Sequence, residues 1–462
     1  MDGLSPGDTQ RVVHATTLFT NALIERQGAH TGVITTEGFR DTLEIGRERK
    51  YNLYDITIRK PDPLVPRNLR MEAYERMNAN GDILTPLDTK SVLAAGQALS
   101  ETGVESIAII FLHAYANACH EIEAGEILSL AFPDISVSAS SEVAPEIREY
   151  ERASTTAANA YIKPLAERYL DSLVAKIKSL DIEAPLHLMI SSGGLTHLKE
   201  AKRTPIQMLE SGPAAGALAG AFFGNADAKE PLIAFDMGGT STDVCRFDGD
   251  FDYKFQHHIG RARVIAPVLN IETVAAGGGS ICGFNGDELF VGHESAGANP
   301  GPACYGAGGP LTLTDVNLLL DRLDPRQFGI PVDIEAAHAA LELVCQSIPK
   351  PPPKRKLLSG FLEIANERMA DAVRKISIRE GYDPTDYALV AFGGAGPVHA
   401  CFVAELLDGD TVIFPPLASV LSAFGTLITP LRYDLAQGMA GTIAWDQAGT
   451  AIATMREEAQ AA

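Results

Sequence analysis

The sequence predicts an α/β fold, because strand-like and helix-like segments alternate along most of its 462 residues. Three observations support this prediction. Apolar runs of buried-strand length recur, among them Ser106 to Leu112 and Leu186 to Ile190. Segments with helical periodicity lie between such runs. Glycine-rich turns follow several of the predicted strands.

The first half of the chain is predicted to alternate short strands with helices. In chain order these are a strand at residues 12–14, a helix at 20–26, a strand at 31–36, a helix at 91–99, and strands at 106–112 and 135–138. A long helix is predicted from Ser154, which can cap it, since apolar residues recur every four positions from Tyr161 to Ile177. Pro164 is expected to kink or divide this helix.

The second half places glycine turns at the ends of strands. Leu232 to Phe235 predicts a buried strand, and Val244 to Phe247 predicts its partner across a tight turn. A helix at 361–378, a strand at 387–392 and a helix at 398–407 follow. Pro397 suits the first position of that last helix, where a missing N–H costs nothing.

The turn between Asp236 and Asp243 is the most informative motif, with the sequence Asp-Met-Gly-Gly-Thr-Ser-Thr-Asp. Adjacent glycines let backbone N–H groups approach a ligand, and successive N–H groups in such a turn form an anion-binding concavity. Thr240 and Thr242 add hydroxyl groups, and Asp236 can hold a hydrated Mg²⁺ that also binds phosphate oxygens. An ordinary hairpin turn needs neither aspartate, so we interpret the motif as a polyphosphate cradle.

Two further glycine turns are candidates for the same site. Gly277, Gly278 and Gly279 could border the same cleft. The turn at Gly393, Gly394 and Gly396 feeds a helix N-terminus, which is a good seat for an anion or a nucleoside. A turn of this second kind also occurs where it only packs a helix on a strand.

The composition excludes several classes of function. The formal net charge is −21, whereas binding a phosphate backbone needs a basic face, so no nucleic-acid partner is expected. The chain has no apolar run of roughly 18 residues and its N-terminus is unlike a signal peptide, so we expect no membrane span. Six cysteines without paired spacing fit reduced thiols in a cytoplasmic protein.

For several polar residues the sequence allows two interpretations of their role. Glu210 is either a catalytic base or an acid at a helix start. His14 either faces a cleft or is a hydrogen-bonded core histidine, and Cys304 is either a nucleophile or, as we favour, a small buried hydrophobic residue. The remaining candidates are expected at the surface, as an exposed pair, His257-His258, and a salt-bridged network of Glu149, Glu151 and Arg152.

These motifs together resemble the A-type subunits of the hydantoinase/oxoprolinase family over nearly the whole chain. The resemblance is carried by His14-Ala15-Thr16-Thr17 with Thr20-Asn21-Ala22, Thr35 to Asp41, Glu146 to Arg152, Glu210 to Gly216, Asp236 to Asp243, Ser295 to Gly306, and Phe392 to Pro397. It implies the fold of the actin, sugar-kinase and heat-shock ATPases, with two α/β halves and ATP in the interdomain cleft.

The resemblance also implies a domain organisation. We expect a family N-terminal-type domain at residues 1–190, an ATPase domain at 191–432, and a tail or the start of a further domain at 433–462. Family members normally begin with an additional Asp-x-Gly-Gly-Thr-x-Thr-Asp loop and continue into a C-terminal domain. We therefore expect this chain to be truncated at both ends, and to have little ATPase activity by itself.

The implied reaction is the ATP-dependent hydrolysis of a cyclic amide of the hydantoin or 5-oxoproline type, in which phosphoryl transfer to the amide oxygen activates the ring. The resemblance implies that Asp236 binds Mg²⁺ and that Asp243 orients the turn or a water, with Glu210 as a further catalytic candidate. The implied phosphate-binding residues are Gly238, Gly239, Thr240 and Thr242. Contact with the same cleft is implied for Gly277, Gly278 and Gly279, and contact with the adenosine for Gly393, Gly394 and Gly396.

A B-type subunit is the implied partner, in a hetero-oligomer that acts on a small cyclic amide. Two alternatives stay open. One is a subunit of an acetone- or acetophenone-type ketone carboxylase, which would phosphorylate an enolate. The other is a nucleotide-binding scaffold without turnover.

Overall fold

A computed structural model describes residues 5–47, 57, 62–226, 231–260, 262–438 and 445–461. These residues form a mixed α/β fold, as the sequence predicts. The α-helices among them are α1 (Leu18–Ile24), α2 (Thr42–Ile45), α3 (Thr89–Glu101), α4 (Cys119–Ala131), α5 (Ser140–Val143), α6 (Glu149–Lys178), α7 (Leu198–Arg203), α8 (Ser211–Ala226), α9 (Leu313–Leu319), α10 (Ile334–Ser347), α11 (Lys354–Ile376), α12 (Gly396–Leu406), α13 (Leu421–Ile428) and α14 (Trp445–Ala461).

The β-strands of the same residues are β1 (Val12–His14), β2 (Thr31–Thr36), β3 (Arg70–Ala73), β4 (Arg76–Met77), β5 (Ile83–Thr85), β6 (Ser106–Ile110), β7 (Ser136–Ala139), β8 (Leu186–Ile190), β9 (Gly194–His197), β10 (Leu232–Met237), β11 (Thr242–Asp248), β12 (Asp250–Phe251), β13 (Tyr253–Lys254), β14 (His257–Ile259), β15 (Ala262–Val264), β16 (Val268–Leu269), β17 (Ile271–Val274), β18 (Ser280–Phe284), β19 (Leu289–Ser295), β20 (Ala388–Phe392) and β21 (Val412–Ile413). Within the described residues, no helix is both long and apolar enough to cross a bilayer.

The chain folds into two compact units. Unit 1 comprises Met1–Gly212, Lys254–Val268 and Pro430–Ala462, and unit 2 comprises Pro213–Tyr253 and Leu269–Thr429. The domain division expected from the sequence stays a prediction.

Unit 1 is built on a parallel sheet with the strand order β3-β2-β6-β7. Every residue of β2 and of β6 is buried, which is typical of parallel strands covered on both faces. Helices α3 and α4 pack against this sheet and against each other, and α6 contacts β2, β6 and β7. A smaller sheet places β1 parallel to β8, which pairs with β9 in the antiparallel sense.

Helix α6 differs from its prediction at its start. It begins at Glu149 rather than at Ser154, which lies inside the helix and accepts the N–H of Arg263 through its hydroxyl at 3.2 Å. The helix continues through Pro164, so the division does not occur, and the kink expected as the alternative stays a prediction. Every residue from Glu151 to Ile162 is buried, so tertiary packing holds the helix together through the proline.

Unit 2 is built on a mixed sheet with the order β12-β11-β10-β20-β21, and β17 pairs with β11. Strand β10 is antiparallel to β11 and parallel to β20. Ile233, Phe235 and Met237 point to one face, where they join the apolar core formed with α11 and α12. The alternate residues of β10 therefore face the other side of the sheet.

Helix α8 packs on that other side through a stripe of glycines four residues apart. Side chains placed at Gly216, Gly220 and Gly224 would press on Asp236, Ala234 and Leu232, respectively. Four helical residues rise ~6 Å, and two strand residues extend ~6.6 Å, so the glycines and the strand side chains advance in nearly equal steps. The helix thus runs antiparallel to β10 at close range and brings its first turns toward Asp236.

We expect Gly220→Val to lower the free energy of unfolding by roughly 1–3 kcal/mol, because it overpacks this contact. A Cβ at Gly220 would already lie 3.0 Å from the Cβ of Ala234. The measurement is urea-induced unfolding. The control is Gly360→Ala in α11, where the nearest atom would be Leu289 Cδ1 at 3.7 Å; it should raise stability by roughly 0.5–1 kcal/mol. Equal midpoints for wild type and Gly220→Val would contradict the packing described.

Candidate functional site

A pocket of unit 2 has a volume of about 590 Å³, within the range of small-molecule sites. Five of the predicted glycines line it, namely Gly238, Gly239, Gly278, Gly279 and Gly394. The structure thus brings together three turns that are far apart in the sequence.

The first two turns are joined through their backbones. The N–H of Gly278 donates to the carbonyl oxygen of Gly238 at 3.0 Å, and the N–H of Gly279 donates to that of Gly239 at 2.7 Å. A Cβ at Gly277 would lie 2.6 Å from the backbone of Gly239, so only glycine fits there. Gly277 therefore supports the pocket wall from behind, and its two successors form part of it.

The third turn docks on the end of β10. Ala395 donates its N–H to the carbonyl oxygen of Met237 at 2.9 Å. Gly393 has a φ of 82°, and a side chain there would overlap the carboxylate of Asp236. Gly396 begins α12 directly behind the turn. This turn is therefore held by the β10–β11 hairpin itself.

Backbone donors remain available at the surface of the pocket. A Cβ at Gly239 or at Gly394 would meet no atom within 4 Å. Within the described part of the chain, the N–H groups of Gly239, Thr240 and Gly394 have no hydrogen bond to another backbone group. These N–H groups can therefore approach a ligand, as an anion-binding turn requires. Thr242 is turned inward, since its hydroxyl donates to the carbonyl oxygen of Ala276 at 2.5 Å.

Asp236 lies beneath these turns as a largely buried carboxylate. Its Oδ2 accepts a hydrogen bond from Ser422 Oγ at 2.8 Å. Burial raises the pKa of Asp236, and the Ser422 bond only partly offsets that effect. Asp243 lies directly opposite in the β10–β11 ladder, so both carboxylates are on one face of the sheet. Asp243 is the more exposed of the two and accepts the hydroxyl of Thr273 at 2.5 Å.

The arrangement fits a magnesium ion held by a single carboxylate. Among the described residues there is no group of three or more His, Cys, Asp or Glu side chains that could enclose a metal. Mg²⁺ commonly binds one or two carboxylates and takes its other ligands from phosphates and water. A buried acid with one hydroxyl donor suits such an ion, because a cation would stabilise its ionised form. Asp236 is therefore the residue that would hold it.

The far end of the pocket is apolar and carries residues that sequence reasoning missed. Helix α9 leads from the glycine turns to this end, since Thr314 Oγ1 donates to the carbonyl oxygen of Gly278 at 2.9 Å and Leu323 follows the helix. Tyr305 and Phe328 also line this end. None of the described lining residues carries a formal charge. Tyr305 lies in the Ser295 to Gly306 motif, but no motif or periodicity marks Leu323 or Phe328 in the sequence.

A buried polar chain supports the α9 wall. Asn317, which lines the pocket, lies with its Nδ2 3.1 Å from His399 Nε2, and the Nδ1 of His399 is 2.8 Å from Asn366 Oδ1. Burial lowers the pKa of His399 to about 4, so the ring is neutral near pH 7. It can then donate to Asn366 and accept from Asn317, which fixes the Asn317 amide.

The other candidates lie outside this pocket. Glu210 is in unit 1, immediately before α8; burial raises its pKa, and its N–H donates to Ser191 Oγ at 3.0 Å. His14 Nε2 is 2.8 Å from the hydroxyl of Tyr169, which is the core-histidine arrangement. Cys304 is fully buried, and burial together with Asp315 raises its pKa, so the small-hydrophobic interpretation holds.

Two residues expected at the surface are buried instead, and His257 is half-buried. Only 2% of Glu151 and none of Arg152 is exposed, because these first turns of α6 lie in the core of unit 1. Both ring nitrogens of His257 are buried, and burial lowers its pKa to about 4. His258 is exposed, as expected.

Two family models match the chain. Residues 152–435 match the model described as hydantoinase/oxoprolinase, and residues 2–132 match the hydantoinase/oxoprolinase N-terminal region. The chain is 37% identical to an uncharacterised protein of Methanocaldococcus jannaschii, covering 93% of this chain and 66% of the other. It is 36% identical to the caprolactamase subunit alpha of Pseudomonas jessenii, covering 92% and 62%. It is 33% identical to 5-oxoprolinase 1 of Arabidopsis thaliana, covering 89% and 35%.

Two solved structures are similar over nearly the whole chain. The crystal structure of the ATP-dependent caprolactamase from Pseudomonas jessenii has a TM-score of 0.84 at 34% identity, covering 99% of this chain and 68% of that one. A nucleotide-free acetone carboxylase structure has a TM-score of 0.81 at 25% identity, covering 98% and 67%. The chain spans 66%, 62% and 35% of the lengths of the Methanocaldococcus jannaschii protein, the caprolactamase subunit alpha and 5-oxoprolinase 1, which is less than two thirds in each case.

We expect Asp236→Asn to leave the thermal stability of the ligand-free protein unchanged or higher at pH 7. The folded protein binds a proton at Asp236 more tightly than the unfolded chain does, because its pKa is raised from the ordinary 3.8. Stability is therefore lost as pH rises through the raised pKa, and asparagine avoids this loss while still accepting the Ser422 hydroxyl.

The measurement is the unfolding temperature between pH 4 and pH 8, with the exposed Asp287→Asn as control. The difference between Asp236→Asn and wild type should shrink as pH falls toward 3.8. A markedly lower unfolding temperature for Asp236→Asn at pH 7 would show that the ionised carboxylate stabilises the fold.

Proposed function

The chain belongs to the hydantoinase/oxoprolinase family, and on that premise we propose that it is the ATP-handling part of an enzyme that hydrolyses a small cyclic amide. The observation that carries the proposal is the pocket where the turns at Gly239, Gly278 and Gly394 meet above Asp236. The proposal includes an actin-like ATPase fold. The use of ATP is supported by the similarity to a structure described as an ATP-dependent caprolactamase.

The phosphate groups would be bound without help from basic side chains of the lining. Since the described lining residues are uncharged, backbone N–H groups and a magnesium ion at Asp236 would have to neutralise the polyphosphate. Gly239 and Thr240 would supply the phosphate contacts, and Asp243 would orient the hairpin or a water molecule. The contact expected from the N–H of Gly238 is not available, because this group donates to the carbonyl oxygen of Ser241 at 2.9 Å. The apolar end beside Phe328 would take the nucleoside, next to the turn at Gly394.

The proposed chemistry follows from the stability of amides. Resonance makes a cyclic amide a poor electrophile, and ATP would supply a phosphoryl group that turns the amide oxygen into part of a good leaving group. The chain's own contribution would be to position the γ-phosphate and to balance developing charge. Glu210, a buried acid with a raised pKa, is the proposed proton acceptor, although its helix-start interpretation stays open.

A second subunit completes the proposal. One relative is named as the alpha subunit of a caprolactamase, and a subunit name implies an assembly. Within the described residues the chain offers no metal-ligand cluster of its own for activating water. We therefore propose a B-type partner that carries out ring opening in a hetero-oligomer.

A ketone carboxylase subunit is the second candidate, because the acetone carboxylase structure is similar at a TM-score of 0.81. Both enzymes would use the same phosphoryl-transfer site on different oxygens. The dependence of ATP consumption on bicarbonate separates them. A requirement for a ketone together with bicarbonate would favour the carboxylase.

We expect Gly394→Val to weaken the binding of a non-hydrolysable ATP analogue in the presence of Mg²⁺ by at least about tenfold, or ~1.4 kcal/mol. A Cβ at this position meets no protein atom within 4 Å, so we expect the variant to fold with its side chain projecting into the pocket. Isothermal titration calorimetry measures the affinity. Gly449→Val in α14 is the matched control, since it is equally unobstructed and does not line the pocket. Unchanged affinity in Gly394→Val would make this turn purely structural.

We expect substrate-stimulated phosphate release and ring opening only when the chain is combined with a B-type subunit. The assay follows phosphate and the ring-opened product for hydantoin, 5-oxoproline and caprolactam, with and without the partner. Amide hydrolysis by this chain alone would refute the need for a partner. Nucleotide binding without phosphate release under any of these conditions would favour the interpretation of the chain as a nucleotide-binding scaffold without turnover.

A further inference from the structure

Unit 1 contains a second cavity, which we call the arginine cavity, lined by Arg40, Arg70 and Arg152. Its volume is about 20 Å³, enough for at least one water-sized group, since ~10–15 Å³ suffices for a water. It lies at the carboxyl ends of β2 and β6, where Thr35 and Leu112 contribute to the wall. In open α/β sheets this edge is where ligands bind.

Arg152 enters the cavity from the first turns of α6 with none of its surface exposed. Its Nη1 donates to Ser140 Oγ and its Nη2 to the carbonyl oxygen of Phe111, each at 2.8 Å. Its Nε is buried and has no hydrogen-bond partner. Burial lowers the pKa of Arg152, whereas the nearby charges of Glu121 and Glu149 act to raise it.

Arg70 and Arg40 repeat this pattern. Arg70 is 1% exposed; its Nε donates to the carbonyl oxygen of Val65 and its Nη2 to Glu44, each at 3.0 Å, while its Nη1 has no partner. Arg40 donates from Nη2 to the carbonyl oxygen of Arg67 at 3.1 Å, and its Nε has no partner. Three guanidinium groups around one small space are therefore each anchored by some nitrogens and left with one unused.

An acceptor with more capacity than water fits this pattern. A water molecule has two lone pairs and must also place its own two hydrogens, whereas a carboxylate accepts about four hydrogen bonds and donates none. The N-terminus of α6, a helix of 30 residues, has no side-chain cap and directs its positive end to the same place. Two independent features thus favour negative charge in the cavity.

The acids near the cavity limit which anion can enter. Glu149 is on the wall, and Glu44 already pairs with Arg70. Glu121 lies 4.0 Å from Arg152 Nη1; its Oε1 accepts from the N–H of Phe111 and from Ser140 Oγ, and its Oε2 accepts from the N–H of Ser141. These acids disfavour a multiply charged ion. The apolar part of the wall, which includes Leu43, suits a carbon substituent.

We propose that the arginine cavity is a binding site for the carboxylate group of a small organic acid. The planar forks of the guanidinium groups match a carboxylate, and a singly charged ligand is compatible with Glu149 on the wall. This site is independent of the nucleotide pocket proposed in unit 2. It requires no chemical step at the carboxylate.

Isothermal titration calorimetry of the full chain with sodium acetate, at constant ionic strength, tests the proposal. We expect saturable binding of one acetate per chain. Arg40→Gln should weaken it about tenfold, because one charge-assisted hydrogen bond is lost. Arg40 is chosen because it is only half-buried. Arg326→Gln, which changes an arginine whose side chain is 87% exposed in unit 2, should not alter it.

Glu149→Gln provides a variant with the opposite expected sign. Removing the acid on the wall should strengthen acetate binding severalfold, which damage to the fold would not do. The absence of saturable binding in the wild type would show that the cavity holds water only. An equal response to acetate and chloride would show an adventitious ion only and would overturn the carboxylate assignment. Unchanged affinity in both Arg40→Gln and Glu149→Gln would place the acetate elsewhere and overturn the assignment.

Discussion

The carboxylate of Asp236 lies between two glycines, and it fits there because neither glycine has a side chain. Gly216 of α8 lies on one side and Gly393 of the turn after β20 on the other, and Ser422 of α13 donates the one hydrogen bond. The residues around this carboxylate belong to the β10–β11 hairpin, the turn after β20, and helices α8 and α13. The pocket of unit 2 therefore depends on how closely backbone can approach one buried acid.

The two units contain sites with opposite electrostatics and the same construction. In unit 2 burial raises the pKa of the Asp236 carboxyl, and in unit 1 the guanidinium groups of Arg40, Arg70 and Arg152 each keep one buried nitrogen without a hydrogen-bond partner. Both sites lie at the carboxyl ends of strands that pair in parallel, the edge of β10 and β20 in one case and of β2 and β6 in the other. Burying a charged group without a partner is costly, so both arrangements favour a bound ligand.

The parts that were predictable have short-range causes. The bounds of β2 and β8 agree with the predicted strands, β8 follows a mainly apolar run, and the hairpin at Asp236 follows from adjacent glycines. The start of α6 was predicted wrongly because Ser154 hydrogen-bonds to a residue distant in the sequence. The Asn317–His399 contact was missed for the same reason, since its members are 82 positions apart and share no local pattern.

The matched spacing of α8 and β10 has a consequence for how this region can vary in evolution. The glycines of α8 lie over the side chains of Leu232 and Ala234 only while four residues of the helix advance by the same distance as two residues of the strand. One inserted residue would rotate everything after it by ~100° and replace the glycine stripe with larger side chains. The segment can therefore exchange residues on its outer face, but insertions and deletions within it should be eliminated. Length variation among relatives is accordingly expected in the surrounding loops.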